Sequence, residues 1–136
     1  MTDKLKILLK NQNEEFTKLL KLLETQKKMI LSKDVMGLEG IVDEIQFVSK
    51  EIAKIEIERR KITGDKKVKE IVKASNDESL ESIYSNLRET LDKLAMQKET
   101  NDLLLKQELL FTNKMLALMN PDKQIKTYNS YGSIRK

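Results

Sequence analysis

The stretch from Asp77 to Asn120 contains neither Gly nor Pro, and this limits most strongly what the chain can fold into. It begins with N-cap and first-turn side chains at Asn76-Asp77-Glu78 and stops before Pro121. Apolar residues recur within it at the spacing of one helical face, at Leu80, Tyr84, Leu87, Leu91, Leu94, Leu105, Leu109, Leu116 and Met119. A helix of this length spans roughly 60 Å. Because an isolated helix of this composition is not stable, the rest of the chain must pack against it.

Two more helices are predicted before this stretch, at about 3–31 and 35–63. The first has a seam of apolar residues with two Gln among them, at Leu9, Gln12, Phe16, Leu19, Leu23, Gln26 and Ile30. The second has a longer seam, at Leu38, Ile41, Ile45, Val48, Ile52, Ile55, Arg59 and Ile62. Asp34 is the predicted N-cap after a short connection, which makes the two helices antiparallel neighbours, and Gly64 is predicted to end the second helix in a left-handed conformation.

These elements predict an all-α fold, an antiparallel three-helix bundle or coiled coil with a long third helix over 78–119. Residues 1–120 are predicted to form one helical domain whose core includes four residues of the second helix, Ile45, Val48, Ile52 and Ile55. The connector 64–77 is predicted to be polar, with at most one or two weakly packed helical turns around Val68, Ile71 and Val72. Residues 121–136 are predicted to form a flexible, mobile tail.

Composition argues against an enzyme. The chain has no Cys and no His, so thiolate and imidazole chemistry and the usual zinc ligands are missing, and no cofactor or metal is expected. The Ser-x-x-Lys string at 133–136 falls in the predicted tail, outside any pocket. No run of about 18 apolar residues is present, so membrane insertion is not expected. The net charge of +4 includes a basic cluster from Arg59 to Lys73, but no aromatic residues accompany it and nucleic-acid binding is not expected.

The stretch from Leu103 to Met119 has more apolar residues than one helical face needs. One seam, Leu105-Leu109-Leu116-Met119, is predicted to face the other helices. A second set lies about 100° away around the helix, comprising Leu103, Leu104, Leu110, Phe111, Met115 and Leu118. Two interpretations remain open: the wide core stripe of a three-helix bundle, or an exposed patch for a partner helix. The up-down-up topology also predicts that Met29, Met36, Phe47, Met115 and Met119 gather at one end.

The order of several short motifs resembles the FlgN family of bacterial flagellar export chaperones. In the last third of the chain these are Asn101-Asp102-Leu103-Leu104, Asn120-Pro121, and Thr127-Tyr128 followed by Gly132. In the front half they are Leu19-Leu20, Leu22-Leu23-Glu24, Asp34 and Glu58-Arg59. The resemblance covers nearly the whole chain.

The resemblance implies a cytoplasmic, non-enzymatic chaperone. Such proteins bind C-terminal helical segments of the hook–filament junction proteins FlgK and FlgL, prevent their early assembly and bring them to the export gate FlhA. The second apolar set is then the candidate client-binding surface, and Tyr128 the candidate export-gate contact. A folded-back tail with Tyr128 as a lid over the client surface is the alternative for that residue. The alternative for the protein is a structural coiled coil that homo-oligomerises through its third helix.

Overall fold

The computed structural model of the protein describes residues 2–119, 127–128 and 134–135, with side chains for residues 2–119. Four helices fill the first range: α1 (Thr2–Ser32), α2 (Val35–Thr63), α3 (Val68–Ser75) and α4 (Glu78–Met119). The predicted all-α fold with a long last helix is confirmed. The three long helices begin and end within one residue of the bounds expected from the sequence.

Two short strands follow the helices in the chain. β1 (Thr127–Tyr128) pairs antiparallel with β2 (Ile134–Arg135), with Thr127 opposite Arg135 and Tyr128 opposite Ile134. The rest of the predicted tail lies outside the described residues, so its mobility stays a prediction.

α1 is the central helix, because it packs against both α2 and α4. α2 runs antiparallel to α1, as the hydrogen bond from Gln12 near the start of α1 to Glu56 near the end of α2 shows (2.9 Å). α4 runs parallel to α1: Lys6 pairs with Asp77 just before α4 (2.6 Å), and Lys33 lies 4.0 Å from Glu108 much further along. The described helices therefore form an up-down-up bundle in which α1 supplies most of the interhelical packing.

A tight turn joins α1 to α2. Lys33 has a φ of 59°, a left-handed conformation in which glycine is usual. The N–H of Asp34 donates to the carbonyl of Met29 (2.9 Å) and the N–H of Lys33 donates to that of Ile30 (3.2 Å), which is the Schellman pattern of a helix end. Asp34 then caps α2, since its Oδ1 accepts from the N–H of Gly37 at 2.9 Å. This turn fixes the antiparallel course that the short connection predicted.

The best-buried cluster lies where α3 covers the first turns of α1 and α4. It contains Leu5, Leu9, Val72, Leu80 and Leu87, each at most 5% exposed. The helical turns predicted around Val68, Ile71 and Val72 are present as α3, but the prediction that they pack weakly is wrong, because Val72 is buried in this cluster and Val68 and Ile71 pack against it. The burial of α3 could not be predicted, because the sequence of so short a helix does not indicate which helices it will meet.

The core prediction for α2 is correct only in part. Val48 is buried, as is Ile41 about two turns earlier on the same seam, but Ile45, Ile52 and Ile55 are half-buried. The physical reason is that α2 packs mainly on one neighbour, α1, so the sides of its seam stay open to solvent.

Candidate functional site

The character of α4 changes at Asn101. Before it, Leu80 and Leu87 are buried; after it, no residue up to Met119 is buried. Asn101 itself is 1% exposed. Its Nδ2 donates to the carbonyl of Leu23 (2.7 Å) and to Oε1 of Gln26 (2.9 Å), and its Oδ1 accepts from Gln97 Nε2 (3.0 Å). In the sequence Asn101 is only a polar residue between the apolar positions Leu94 and Leu105, whereas in the structure its amide is a buried polar link between α4 and α1.

Beyond this link α4 runs past the end of its neighbour. Lys33, the residue after α1, lies beside Glu108. Residues 109–119 therefore continue for roughly 16 Å past the α1–α2 turn, at about 1.5 Å per residue. A helix that is apolar and leaves its neighbour in this way keeps its apolar side chains in solvent.

We call residues Leu103–Met119 the α4 apolar segment. Five of the six candidate client-binding residues are exposed in it: Leu103 (56%), Leu110 (53%), Phe111 (53%), Met115 (43%) and Leu118 (77%). The sixth, Leu104, is half-buried. For these side chains, the structure favours the exposed patch over the core interpretation, because a core stripe would be covered by the other helices.

The seam predicted to face the other helices is also exposed, and that prediction is wrong. Leu105, Leu109 and Leu116 are 38–41% exposed, and Met119 is 71% exposed. Periodicity correctly indicates that these residues share a face, but α1 ends at Ser32 and does not reach most of them. As a result, the α4 apolar segment exposes apolar side chains over most of the circumference of the helix, a pattern typical of helices that are enclosed by other protein.

Lys33 contacts the α4 apolar segment from the turn. Its Nζ lies 5.1 Å from the centroid of the Phe111 ring, within the range of a cation–π interaction, and 4.0 Å from Glu108 Oε2. Sequence reasoning missed this contact because nothing in a lone Lys before Asp34 indicates which helix its side chain will meet.

The predicted gathering of Met and Phe side chains at one end is correct only in part. Met36 (84% exposed) lies in the first turn of α2, next to the α1–α2 turn. Phe47, however, lies roughly 16 Å further along α2 than Met36. There it lines a shallow groove between α1 and α2 together with Lys18, Leu22 and Val48. Phe47 is thus separate from the α4 apolar segment, although its side chain is also exposed (65%).

Tyr128, the candidate export-gate contact, lies in β1, where its backbone pairs with Ile134. Its side chain lies outside what the structure describes, so the choice between a gate contact and a lid stays open at this residue.

Two carboxylates have shifted pKa values, and both stabilise helix packing. A hydrogen bond from Lys6, helped by the backbone N–H groups of Leu80 and Ser79, lowers the pKa of Asp77. A hydrogen bond from Arg59 lowers the pKa of Glu56; partial burial acts against this, and the bond from Gln12 adds to it. Asp77 lies roughly 40 Å along α4 from Leu103, so these charges organise the bundle at a distance from the apolar segment.

The described part of the chain contains neither a cluster of metal ligands nor a membrane-spanning helix. Over residues 2–119, no three His, Cys, Asp or Glu side chains are grouped in a way that suits a metal ion. None of the four described helices is both long and apolar enough to cross a membrane. What the described structure offers for recognition is therefore surface, chiefly the α4 apolar segment.

Comparison with known proteins gives one match. A family model described as "FlgN protein" matches residues 1–136, the whole chain. Neither the curated proteins nor the solved structures give a match. The chain therefore belongs to the FlgN family, a family of flagellar export chaperones.

Proposed function

We propose that the protein is a cytoplasmic export chaperone that binds C-terminal helical segments of FlgK-like and FlgL-like hook–filament junction proteins. The observation that supports it best is the exposure of apolar side chains over most of the circumference of α4 beyond Asn101. An amphipathic helix of a client covers such a surface by packing its own apolar face against it. Family membership supports the chaperone role in general, and the choice of clients is our proposal.

Covering this segment also explains how a chaperone of this kind prevents early assembly. In the proposed complex, the apolar face of an amphipathic client helix packs against α4 rather than against another client segment. Bound client segments are then unavailable to each other. No catalytic group is needed for this activity, which is binding alone.

Phe111 is the anchor of the proposed surface. The Phe111 ring is half exposed, like the side chain of the neighbouring Leu110. Lys33 covers one side of the ring, with its Nζ 5.1 Å from the ring centroid. Aromatic side chains at the centre of an interface commonly contribute more than 1 kcal/mol to binding. Phe111→Ala should therefore weaken binding of a synthetic peptide with the C-terminal sequence of a FlgK-like protein by about fivefold or more.

Phe47 provides a matched control. It is the same residue type, is 65% exposed and lies on α2, outside the α4 apolar segment. Phe47→Ala should change peptide affinity by less than about twofold in calorimetry. Both variants should keep wild-type helical content in circular dichroism. An unchanged affinity for Phe111→Ala, or an equal loss in both variants, would contradict the proposed site.

Tyr128 is proposed as a contact for an FlhA-like export gate. A tyrosine offers a large rigid ring and a hydroxyl group to a partner, at small entropic cost. Tyr128→Ala should weaken binding to the cytoplasmic domain of the gate while leaving client affinity within about threefold. Tyr131→Ala is the control, since it removes the other tyrosine of the same segment. A rise in client affinity for Tyr128→Ala would instead support the lid.

Self-association is the second candidate function, and one observation favours it. The exposed seam Leu105-Leu109-Leu116-Met119 keeps the spacing of a coiled-coil face. If a second copy covers this seam, light scattering will give a dimer mass that persists on dilution, and Leu109→Asp will convert the dimer to monomer. A monomer at all concentrations leaves the seam free for a client.

A further inference from the structure

The positive charge of the chain is concentrated in one short segment. Residues 59–73, which we call the basic segment, contain seven basic and two acidic side chains, a net charge of +5. The whole chain carries +4, so the other residues together carry −1. The basic segment contains the last turn of α2, the turn after it and most of α3. Among the four described helices, the end formed by the basic segment is thus electropositive.

The lysine side chains of this segment form no ion pairs with the described helices. All five are exposed, and none lies within 4.0 Å of a carboxylate among the described residues; they are Lys61, Lys66, Lys67, Lys69 and Lys73. The two arginines differ, because Arg59 and Arg60 both pair with Glu56. The free charge at this end therefore comes from lysine ammonium groups, while the guanidinium groups hold α2 together.

Backbone structure holds these lysines at one end of the molecule. Gly64, with a φ of 60°, ends α2 and donates its N–H to the carbonyl of Arg60 at 2.8 Å. The N–H of Lys66 then donates to the carbonyl of Thr63 at 3.3 Å, which closes the turn. On α3, burial of Val72 against α1 and α4 fixes which side of the short helix meets solvent. The basic surface is consequently part of the folded domain rather than of a loose linker.

The chemistry of this surface indicates what kind of partner it fits. Lysine ammonium groups on flexible stems act as point charges and give no bidentate geometry for a particular carboxylate or phosphate. The basic segment contains no aromatic residue on which a nucleic-acid base can stack. A dense layer of anionic headgroups needs neither feature, and each basic side chain near such a surface contributes about 1 kcal/mol.

We propose that the basic segment docks the protein reversibly on the surface of an anionic phospholipid bilayer. The contact is electrostatic and peripheral: the lysines approach the headgroups and the helices stay outside the hydrocarbon. It lies at the opposite end of the bundle from the α4 apolar segment, because the end of α2 lies beside the start of α1. Docking is therefore independent of client binding.

Vesicle co-sedimentation tests the proposal with the full chain. Wild-type protein should bind vesicles of equal parts phosphatidylglycerol and phosphatidylcholine at about 0.05 M salt, and should be released at about 0.5 M salt, where the screening length is far shorter. It should not bind vesicles of phosphatidylcholine alone. Lys66→Glu/Lys67→Glu should reduce the partition coefficient about tenfold or more.

The control reverses the same amount of charge elsewhere. Lys28 and Lys50 are exposed and make no ion pair among the described residues. Lys28→Glu/Lys50→Glu should reduce partitioning by about threefold or less, because only the long-range field changes. An equal loss in both double variants, or no binding of wild type to the anionic vesicles at low salt, overturns the proposal. Tighter binding to duplex DNA or to polyglutamate than to the vesicles overturns the assignment to lipid.

Discussion

Removing the buried amide of Asn101 should cost the bundle about 2–3 kcal/mol. The side chain donates two hydrogen bonds to α1, to Leu23 at 2.7 Å and to Gln26 at 2.9 Å. Each such bond contributes about 1 kcal/mol net. The bond from Gln97, which is one turn away on α4, adds a few tenths of a kcal/mol. Asn101→Ala also leaves a small void at a position that is 1% exposed, which places the total at the upper end of this range.

Asn86→Ala is the matched control for this change. Asn86 is an exposed residue of the same helix, and its side chain makes no hydrogen bond among the described residues. Both substitutions gain about 0.5 kcal/mol of helix propensity, so the difference between the two variants isolates the buried contacts. Urea denaturation followed by circular dichroism gives that difference. A value below about 0.5 kcal/mol would show that solvent replaces the bonds of Asn101 at little cost, and would refute the role we assign to it.

Three further predictions concern the fold. Gly40→Ala should stabilise the protein by about 0.5–1 kcal/mol, since an added Cβ meets nothing within 4 Å; Gly37→Ala should gain less in thermal denaturation, because its Cβ would approach the capping carboxylate of α2 to 2.3 Å and disturb that bond. Leu80→Ala should lower the free energy of unfolding by about 2–5 kcal/mol in urea denaturation. Ile52→Ala should lower it by about half as much, because Ile52 is only half-buried, and equal losses would contradict the burial pattern. Asp77→Asn should destabilise the protein above about pH 4, where the wild-type carboxylate is charged and bonded to Lys6. Because the pKa of Asp77 is lowered in the folded protein, the stability difference between wild type and variant should shrink as the pH falls through that pKa. A stability difference independent of pH would exclude the charge as its cause.

The helices could be predicted from local signals. Asp34 and Gly64 mark the ends of α2 by capping chemistry that depends only on residues nearby in sequence, and the structure shows both caps as expected. The absence of Gly and Pro after Asp77 marks α4, and it too can be read without knowing the rest of the fold. Such signals are reliable because the backbone groups at a helix end must be satisfied wherever the helix lies.

The candidate site could be predicted only in part, because exposure depends on where a neighbour ends. Leu109 and Leu116 are seven residues apart, like the buried Leu80 and Leu87, yet they are exposed because α1 ends beside Glu108, before reaching them. The role of Asn101 was hidden for a related reason: an amide on an apolar seam gives the same pattern whether it faces water or a carbonyl of another helix. Register between α1 and α4 decides both cases, and a single sequence does not specify it.

The parallel alignment of α1 and α4 sets the order in which the protein assembles. α1 and α2 are joined by a two-residue turn and form a hairpin, whereas the bond from Asn101 to Leu23 joins residues 78 positions apart. Contacts between distant residues form later, since the intervening chain must first be ordered. We therefore expect the hairpin to form during synthesis before α4 covers Leu5 and Leu9. Pulse-labelled hydrogen exchange should show amides of α1 and α2 protected before those of α4, so that the helix carrying the apolar segment is the last to join the folded protein.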